Sequence, residues 1–309
     1  MVRGAVDGQG GWMAVPPRRP VQLQGHVFRG SHVVAQGWLT RAELRSSAWR
    51  PLFKNVFADA RLAISHATRC SAVARFLLPP GAAIAGRSAA ALFGVGTVGT
   101  NEPIDVLVPV GQRFGPVAGL VVHTADLAAA DVLTRAGCPV TTPLRTGWDL
   151  AQWLSVEKAV AVVDGLLRQR LVSADKLRDL APARLGARGW RRMMRVAGLA
   201  DTGAESPQES RLRVRLVLAG LPAPVTQYVL ERDGRFVARL DLAWPEWKIA
   251  VEYDGLWHHD PDQFHRDRRR LNQLVGEDWI VLHLTAKRFK EDFPGFLAEV
   301  RRAIRFRAH

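Results

Sequence analysis

The spacing of apolar residues switches between the helical period of three to four and the period of two that marks strands, giving the chain a mostly helical first part and a mixed second part. Residues 26–60 read as a small module. A first helical turn covers residues 33–36, Gly37 interrupts it, and Leu39-Thr40-Arg41-Ala42-Glu43-Leu44 starts a second helix with Thr40 as N-cap. Trp49, Leu52, Phe53, Val56 and Phe57 recur at helical spacing before passing into Asn55-Val56-Phe57-Ala58, which reads as a β-wing. This is the layout of a winged helix-turn-helix, in which one helix enters the major groove and basic residues touch phosphate. Arg41, Arg45, Arg50 and Lys54 are the candidates for that contact. A helical bundle end without DNA contact would give the same spacing, and periodicity does not separate the two.

Residues 65–78 and 87–93 continue as helices, and two short apolar runs at residues 104–110 and 120–123 read as strands of a hairpin or small sheet. Helices are then expected at residues 146–154, 156–171, 174–180 and 189–198, with Ser173 capping the third. Two glycines and Asp201-Thr202 within residues 198–203 mark a domain boundary.

In the second part, residues 235–243 and 247–253 are apolar-rich runs joined through Trp244-Pro245-Glu246, a natural antiparallel hairpin. If the two-residue turn is Glu246-Trp247, Asp241 lies directly across from Glu252, with Cβ atoms roughly 4.5 to 5.5 Å apart. Like charges so placed repel, and a divalent cation between them offsets the repulsion. Mg²⁺ is commonly held by one or two carboxylates plus substrate phosphate. Alternation puts Asp254 on the face of Glu252, so Asp241, Glu252 and Asp254 are expected to converge. Gly255-Leu256-Trp257-His258-His259 then brings imidazoles nearby, and His258 or His259 suits proton transfer, though a surface histidine pair would look the same.

Upstream, Ser206-Pro207-Gln208-Glu209 opens a helix with a capping box and Pro at the first position, which gives Glu209 a sufficient structural role. Glu209 also lies three and seven residues before Leu212 and Leu216, on the stripe that faces a sheet. Both roles stay open, with Glu205 as a substitute. Downstream, Asp260-Pro261 caps a helix through Val275 whose Arg266, Arg269 and Arg270 can grip phosphates or remain solvated. A strand over residues 279–284 and a last helix over residues 294–304 complete an αβββαβ order with a closing helix.

Length and charge bear on this picture. At 309 residues the chain exceeds the usual single core, so two domains are expected. The fold class is α/β, of the α+β kind: a disordered leader at residues 1–25, the winged module at 26–60, a mostly helical region with a small sheet at 61–204, and the αβββαβ domain at 205–309. The hydrophobic share of 48% contains no run of about eighteen apolar residues, which excludes a membrane-spanning helix. The leader lacks the apolar run of a signal peptide, so a cytoplasmic location is expected. Cys70 and Cys138 are too few for a disulfide framework or thiolate site. The net charge of +14 suggests a polyanionic partner, and it is uneven: residues 1–204 carry +12 and residues 205–309 only +2. Either the first part holds nucleic acid that the second acts upon, or an arginine-rich coding bias decorates a solvated surface.

Two resemblances sharpen the expectation. Leu39-Thr40-Arg41-Ala42-Glu43-Leu44 with Trp49 and Phe53, then Gly86-Arg87-Ser88-Ala89-Ala90, then residues 140–146 with Asp149-Leu150, resemble the AbiEi-type antitoxins of abortive-infection systems. That resemblance implies an N-terminal winged helix on operator DNA and a cognate toxin as partner. Arg239-Leu240-Asp241-Leu242-Ala243-Trp244-Pro245, Ile249-Ala250-Val251-Glu252-Tyr253-Asp254-Gly255 with His258, Asp267-Arg268-Arg269-Arg270-Leu271 and Trp279-Ile280-Val281-Leu282 resemble the family related to very-short-patch repair endonucleases, in the PD-(D/E)xK superfamily. This second resemblance covers about residues 205 to 305 and implies a restriction-endonuclease-like sheet flanked by helices. Asp241 and Glu252 would be Mg²⁺ ligands, Glu209 the acid of the first helix and His258 the histidine after the Gly. One departure matters: many members place a lysine to orient the attacking water where this chain has Asp254, leaving Lys248 or His258 to substitute. The expected function is thus a DNA-binding protein with a Mg²⁺-dependent endonuclease domain, in DNA repair or phage defence. The alternative is a non-catalytic transcriptional regulator or antitoxin.

Overall fold

The computed structural model describes residues 16–96, 98–254 and 277–308. Among these the chain is a mixed α/β protein with three sheets and ten α-helices. It divides into two compact units, Met1–Thr142 and Pro143–His309.

The first unit opens with β1 (Val27–Arg29), α1 (Gly30–Ala35), β2 (Trp49–Phe53) and β3 (Val56–Asp59), which form an antiparallel sheet in the order β1-β3-β2. Leu23, Phe28, Val33, Leu39, Leu44 and Trp49 bury one small core under it. The expected leader is therefore corrected from Val21 on. Residues Val21–Leu23 form a 3-10 turn, Leu23 is buried, and Arg19 and the Gly25 amide both bind Asp59. The second helix expected from Leu39 shrinks to the 3-10 turn Glu43–Arg45. Its cap does form, the Thr40 hydroxyl accepting the Glu43 amide at 3.2 Å, but Ser46 follows in an extended conformation and ends it. Residues 49–53, expected at helical spacing, are a strand; Pro51 has no amide to give a helix, and Asn55 turns the hairpin with φ at 61°.

The rest of this unit adds α2 (His66–Phe76), β4 (Ala83–Ile84), α3 (Gly86–Leu92), β5 (Ile104–Pro109), β6 (Leu120–Ala125), β7 (Val132–Arg135) and β8 (Cys138–Thr141). The five strands run β6-β5-β4-β8-β7. Strands β5 and β6 are parallel rather than a hairpin, joined by a ten-residue link, short for a parallel crossover.

The second unit stacks helices on helices and then on a sheet. Helices α4 (Pro143–Trp153), α5 (Val156–Arg168), α6 (Ala174–Ala183) and α7 (Trp190–Leu199) bury a core of Trp148, Val160, Val163, Leu177, Met193 and Val196. Helix α8 (Pro207–Leu218) joins that core through Val214, while its Leu212 and Leu216 belong to the core over the sheet. The sheet runs β12-β11-β10-β9, from β9 (Val225–Arg232), β10 (Arg235–Trp244), β11 (Ile249–Asp254) and β12 (Ile280–Thr285). Its first three strands are antiparallel neighbours and β12 is parallel to β11. Helices α9 (Ala286–Glu291) and α10 (Phe293–Arg307) close it with Phe289, Phe293, Phe296 and Val300.

The boundary expected at residues 198–203 lies inside this unit. Asp164, nearly fully buried on α5, accepts the Asp201 amide at 2.8 Å and the Arg213 guanidinium of α8 at 2.8 Å. Arg213 also donates to the Leu199 carbonyl at 2.7 Å, and the Thr226 hydroxyl of β9 donates to Asp201 at 2.8 Å. A link so bonded to helix, helix and strand is held within one unit rather than between two domains. Burial pushes the Asp164 carboxyl up, and Arg213 beside it with the Asp201 amide works against that.

Candidate functional site

Strands β10 and β11 pair in the register Leu242↔Val251, Ala243↔Ala250 and Trp244↔Ile249. Continued by one step, that register sets Asp241 opposite Glu252, as the turn chemistry predicts. The turn is a 3-10 turn, Pro245–Trp247, closed by Lys248 in the left-handed conformation. One residue beyond the last registered pair, the Asp241 carboxylate accepts the backbone amide of Tyr253 at 3.0 Å, so a side chain takes the place of a ladder carbonyl.

Glu209 arrives from α8. Ser206 caps the helix, its hydroxyl accepting the Glu209 amide at 3.1 Å. The carboxylate half of the expected box differs: Glu209 Oε2 accepts the amide of Glu205 at 3.0 Å, and then the side-chain amide of Gln227 at 2.8 Å. Gln227 Nε2 also reaches Asp241 Oδ1 at 3.5 Å, so one amide group spans the two carboxylates. Gln227 sits inside β9 with φ at 49°, a left-handed conformation that costs a non-glycine residue about 1 to 3 kcal/mol. Glu209 is almost completely buried, and its capping and site positions are not exclusive.

On the other side of Asp241, Glu252 is registered with His283 of the parallel strand β12. Asp254 Oδ1 lies 3.2 Å from His283 Nδ1. Glu209 and Asp241 thus meet through Gln227, and Asp254 meets His283. Among the described residues no three of His, Cys, Asp and Glu come close enough to hold one metal ion. Lys248 does not reach this place. Its ammonium donates to the Glu277 carbonyl at 3.2 Å, and its position is four residues, about 13 Å, along β11 from Glu252. Burial pushes the neighbouring Tyr253 phenol up, and Arg211 partly opposes this.

His258, His259, Arg266, Arg269 and Arg270 lie outside the described residues. Glu205 forms a bidentate pair with Arg239, both contacts at 2.9 Å. In the first unit Arg41, Arg45, Arg50 and Lys54 are exposed around the 3-10 turn and the β2–β3 hairpin, and Arg50 donates to the Ala60 carbonyl at 3.1 Å. Gln227 and His283 were not found from sequence. His283 left one trace, a single polar residue inside the apolar run Ile280-Val281-Leu282-His283-Leu284.

Fold and site define a mixed α/β protein in which the Glu209 and Asp241 carboxylates meet on Gln227 beside the central hairpin of the third sheet. The chain belongs to the family of the uncharacterized protein Rv2248 of Mycobacterium tuberculosis strain H37Rv and its counterpart MT2308 of strain CDC 1551. It is 32% identical to each over 212 residues, 68% of this chain and 76% of theirs. No family model matches it. The crystal structure of the RV2827C protein from the same organism is similar with a TM-score of 0.39 at 19% identity, over 65% of this chain and 78% of that one.

Proposed function

We propose that the chain is a DNA-binding, Mg²⁺-dependent endonuclease, with a winged helix-turn-helix module at residues 26–60 and a restriction-endonuclease-like domain built on the β9–β12 sheet. The observation that carries the reading is the meeting of Glu209 and Asp241 on the Gln227 amide, one step from the Asp241–Glu252 register. The resemblance of these residues to the very-short-patch-repair-related family, within the PD-(D/E)xK superfamily, supports it. Asp241 and Glu252 would hold Mg²⁺. Their donors are hard oxygens, and two carboxylates leave room for the waters and substrate phosphate that Mg²⁺ retains. When bound, the ion supplies Lewis-acid stabilisation and a more acidic water.

The chain's own residues do the rest. Gln227 fixes the Glu209 and Asp241 carboxylates relative to each other. His283, oriented through Nδ1 by Asp254, takes the proton-handling part that the sequence offered to His258. Arg41, Arg45, Arg50 and Lys54 bind phosphates, which positions DNA without reading its sequence. Metal polarisation of a phosphoryl group is worth several kcal/mol, so Asp241→Ala is expected to lower plasmid cutting in Mg²⁺ by about a hundredfold or more while binding persists. Cutting that survives the substitution unchanged removes the site.

A second reading is favoured by Asp254 itself, which stands where a lysine would orient water and is engaged by His283 instead. In that reading the chain is a DNA-binding regulator or antitoxin with a cognate toxin, and the carboxylates do not cut. Retention of its own promoter fragment, lost on deleting residues 26–60, with no cutting under any divalent ion, is its expected signature.

A further inference from the structure

Half of the net charge sits in a tenth of the chain. Residues 168–199 contain nine arginines and lysines against two aspartates, +7 of the total +14, from the last residue of α5 through α7. The structure sorts these cations into two kinds. Arg168 donates to the Ala204 carbonyl, Arg178 pairs with Asp175, Arg184 stacks on Trp148, and Arg192 donates to the Gln152 and Leu154 carbonyls. These four tie the helices to their neighbours or to themselves. Arg188, Arg191 and Arg195 are different: each is exposed and none has a carboxylate partner among the described residues, Arg191 lying over the ring of its own neighbour Trp190 on the same helix. Arg170, just after α5, and Lys176 on α6 are likewise exposed.

Their placement is set by the core. Met193 and Val196 are fully buried against α4 and α5, which fixes the rotation of α7 and turns Arg191 and Arg195 outward, one turn or about 6 Å apart on one face. Arg188 precedes Arg191 by three residues, in the turn where Gly189 takes a left-handed φ of 92°. Helix α7 is also anchored beside the carboxylate site, because Leu199 at its end accepts the Arg213 guanidinium and Asp201 just beyond accepts Thr226, the neighbour of Gln227.

We propose that the Arg188–Arg191–Arg195 face is a docking surface for the phosphate backbone of double-stranded DNA, delivering duplex to the carboxylate site in the same unit. It rests on the reading of the chain as a DNA-binding protein but not on its cutting. Uncompensated like charge held on a rigid helix repels itself and is relieved by a polyanion. Guanidinium groups match phosphate in planar two-point contacts. A flexible acidic peptide would need no such rigid row, whereas a duplex presents one phosphate per 3.4 Å along each strand.

The test is fluorescence anisotropy of a labelled 25-base-pair random duplex titrated with the full chain at several salt concentrations. The triple variant Arg188→Gln, Arg191→Gln, Arg195→Gln is expected to lose about tenfold or more in affinity at low salt. It should also flatten the slope of log K against log salt by about 2.7, three lost phosphate contacts. The triple Arg→Lys variant should recover most of the slope. If the triple Gln variant fails to fold, Arg188→Glu alone, in an exposed turn, is expected to shift affinity in the same direction. Unchanged affinity and slope in these variants overturn the surface, as does displacement by polyglutamate as effective as by DNA at equal charge. Cutting is scored separately in Mg²⁺, so a protein that binds through this face and never cuts sinks the endonuclease reading alone.

Discussion

Gln227 shows what a single residue can hide. In sequence it is one more polar position in an alternating strand, and nothing in Thr226-Gln227-Tyr228 signals a positive φ. Asp241 and Glu252 were legible because hairpin register follows from turn chemistry, whereas a strained backbone torsion follows from contacts that form only in the fold. The strain makes an inverted prediction. Within a strand Gly is ordinarily less stable than Ala by roughly 0.5 to 1 kcal/mol. At 227 both substitutions lose the amide bonds to Glu209 and Asp241, but only Gly accepts φ of 49° freely. Urea unfolding is expected to find Gln227→Gly more stable than Gln227→Ala by about 1 kcal/mol; the usual order would show that the torsion is unstrained. Asp59 carries a second residue-scale prediction. Burial pushes its carboxyl up, but the amides of Arg61 and Gly25 and the Arg19 guanidinium outweigh this and hold it at about 2, below its ordinary 3.8. Because the folded value is depressed, this contribution is present above the unfolded value and is lost as pH falls through about 2. Asp59→Asn should therefore flatten the dependence of stability on pH between about 4 and 2, measured as unfolding midpoints across that window.

At the scale of elements, periodicity located most helices and misassigned the parts where a short segment serves two partners. Helices α2, α4, α5 and α7 come from long amphipathic runs and were expected close to where they lie. Strand β4 is two residues long, and β7 and β8 four each, too short for alternation to register. The clamp between α5, α8 and β9 was equally invisible, since Asp164 and Arg213 are 49 residues apart and each looks like a surface charge. Removing one partner of a buried pair strands the other, at a cost of about 3 to 5 kcal/mol. Arg213→Met is expected to lose stability on that scale by chemical unfolding, and Asp164→Asn less, because the neutral amide can still accept from the Asp201 backbone. A loss below about 1 kcal/mol for Arg213→Met would mean the pair is not structural. Gly203 belongs to the same clamp, for a Cβ there would collide with the Thr226 side chain.

For the whole molecule, charge asymmetry was readable and its location was not. Of the +12 assigned broadly to residues 1–204, +7 lies in residues 168–199, on α7 and the segments flanking α6, in the same unit as the carboxylates. The unit boundary moved for the same reason: glycine-rich composition at 198–203 suggested a linker, while hydrogen bonding ties it to α5, α8 and β9. Among the described residues no helix is long and apolar enough to cross a membrane, in keeping with the composition. A fragment of residues 143–309 is expected to unfold cooperatively on its own. One of residues 205–309 is not, having lost the partners of Val214 and Arg213, and calorimetry of the two distinguishes this division from one at 204. The shared helix α8 has an engineering consequence as well. Its one face seats the sheet and its other face completes the helical core, so the sheet is not a transplantable cassette. A chimera that grafts it onto a foreign recognition module must carry α4 to α7 with it, and any natural exchange of modules within this family would be expected to break near residue 142.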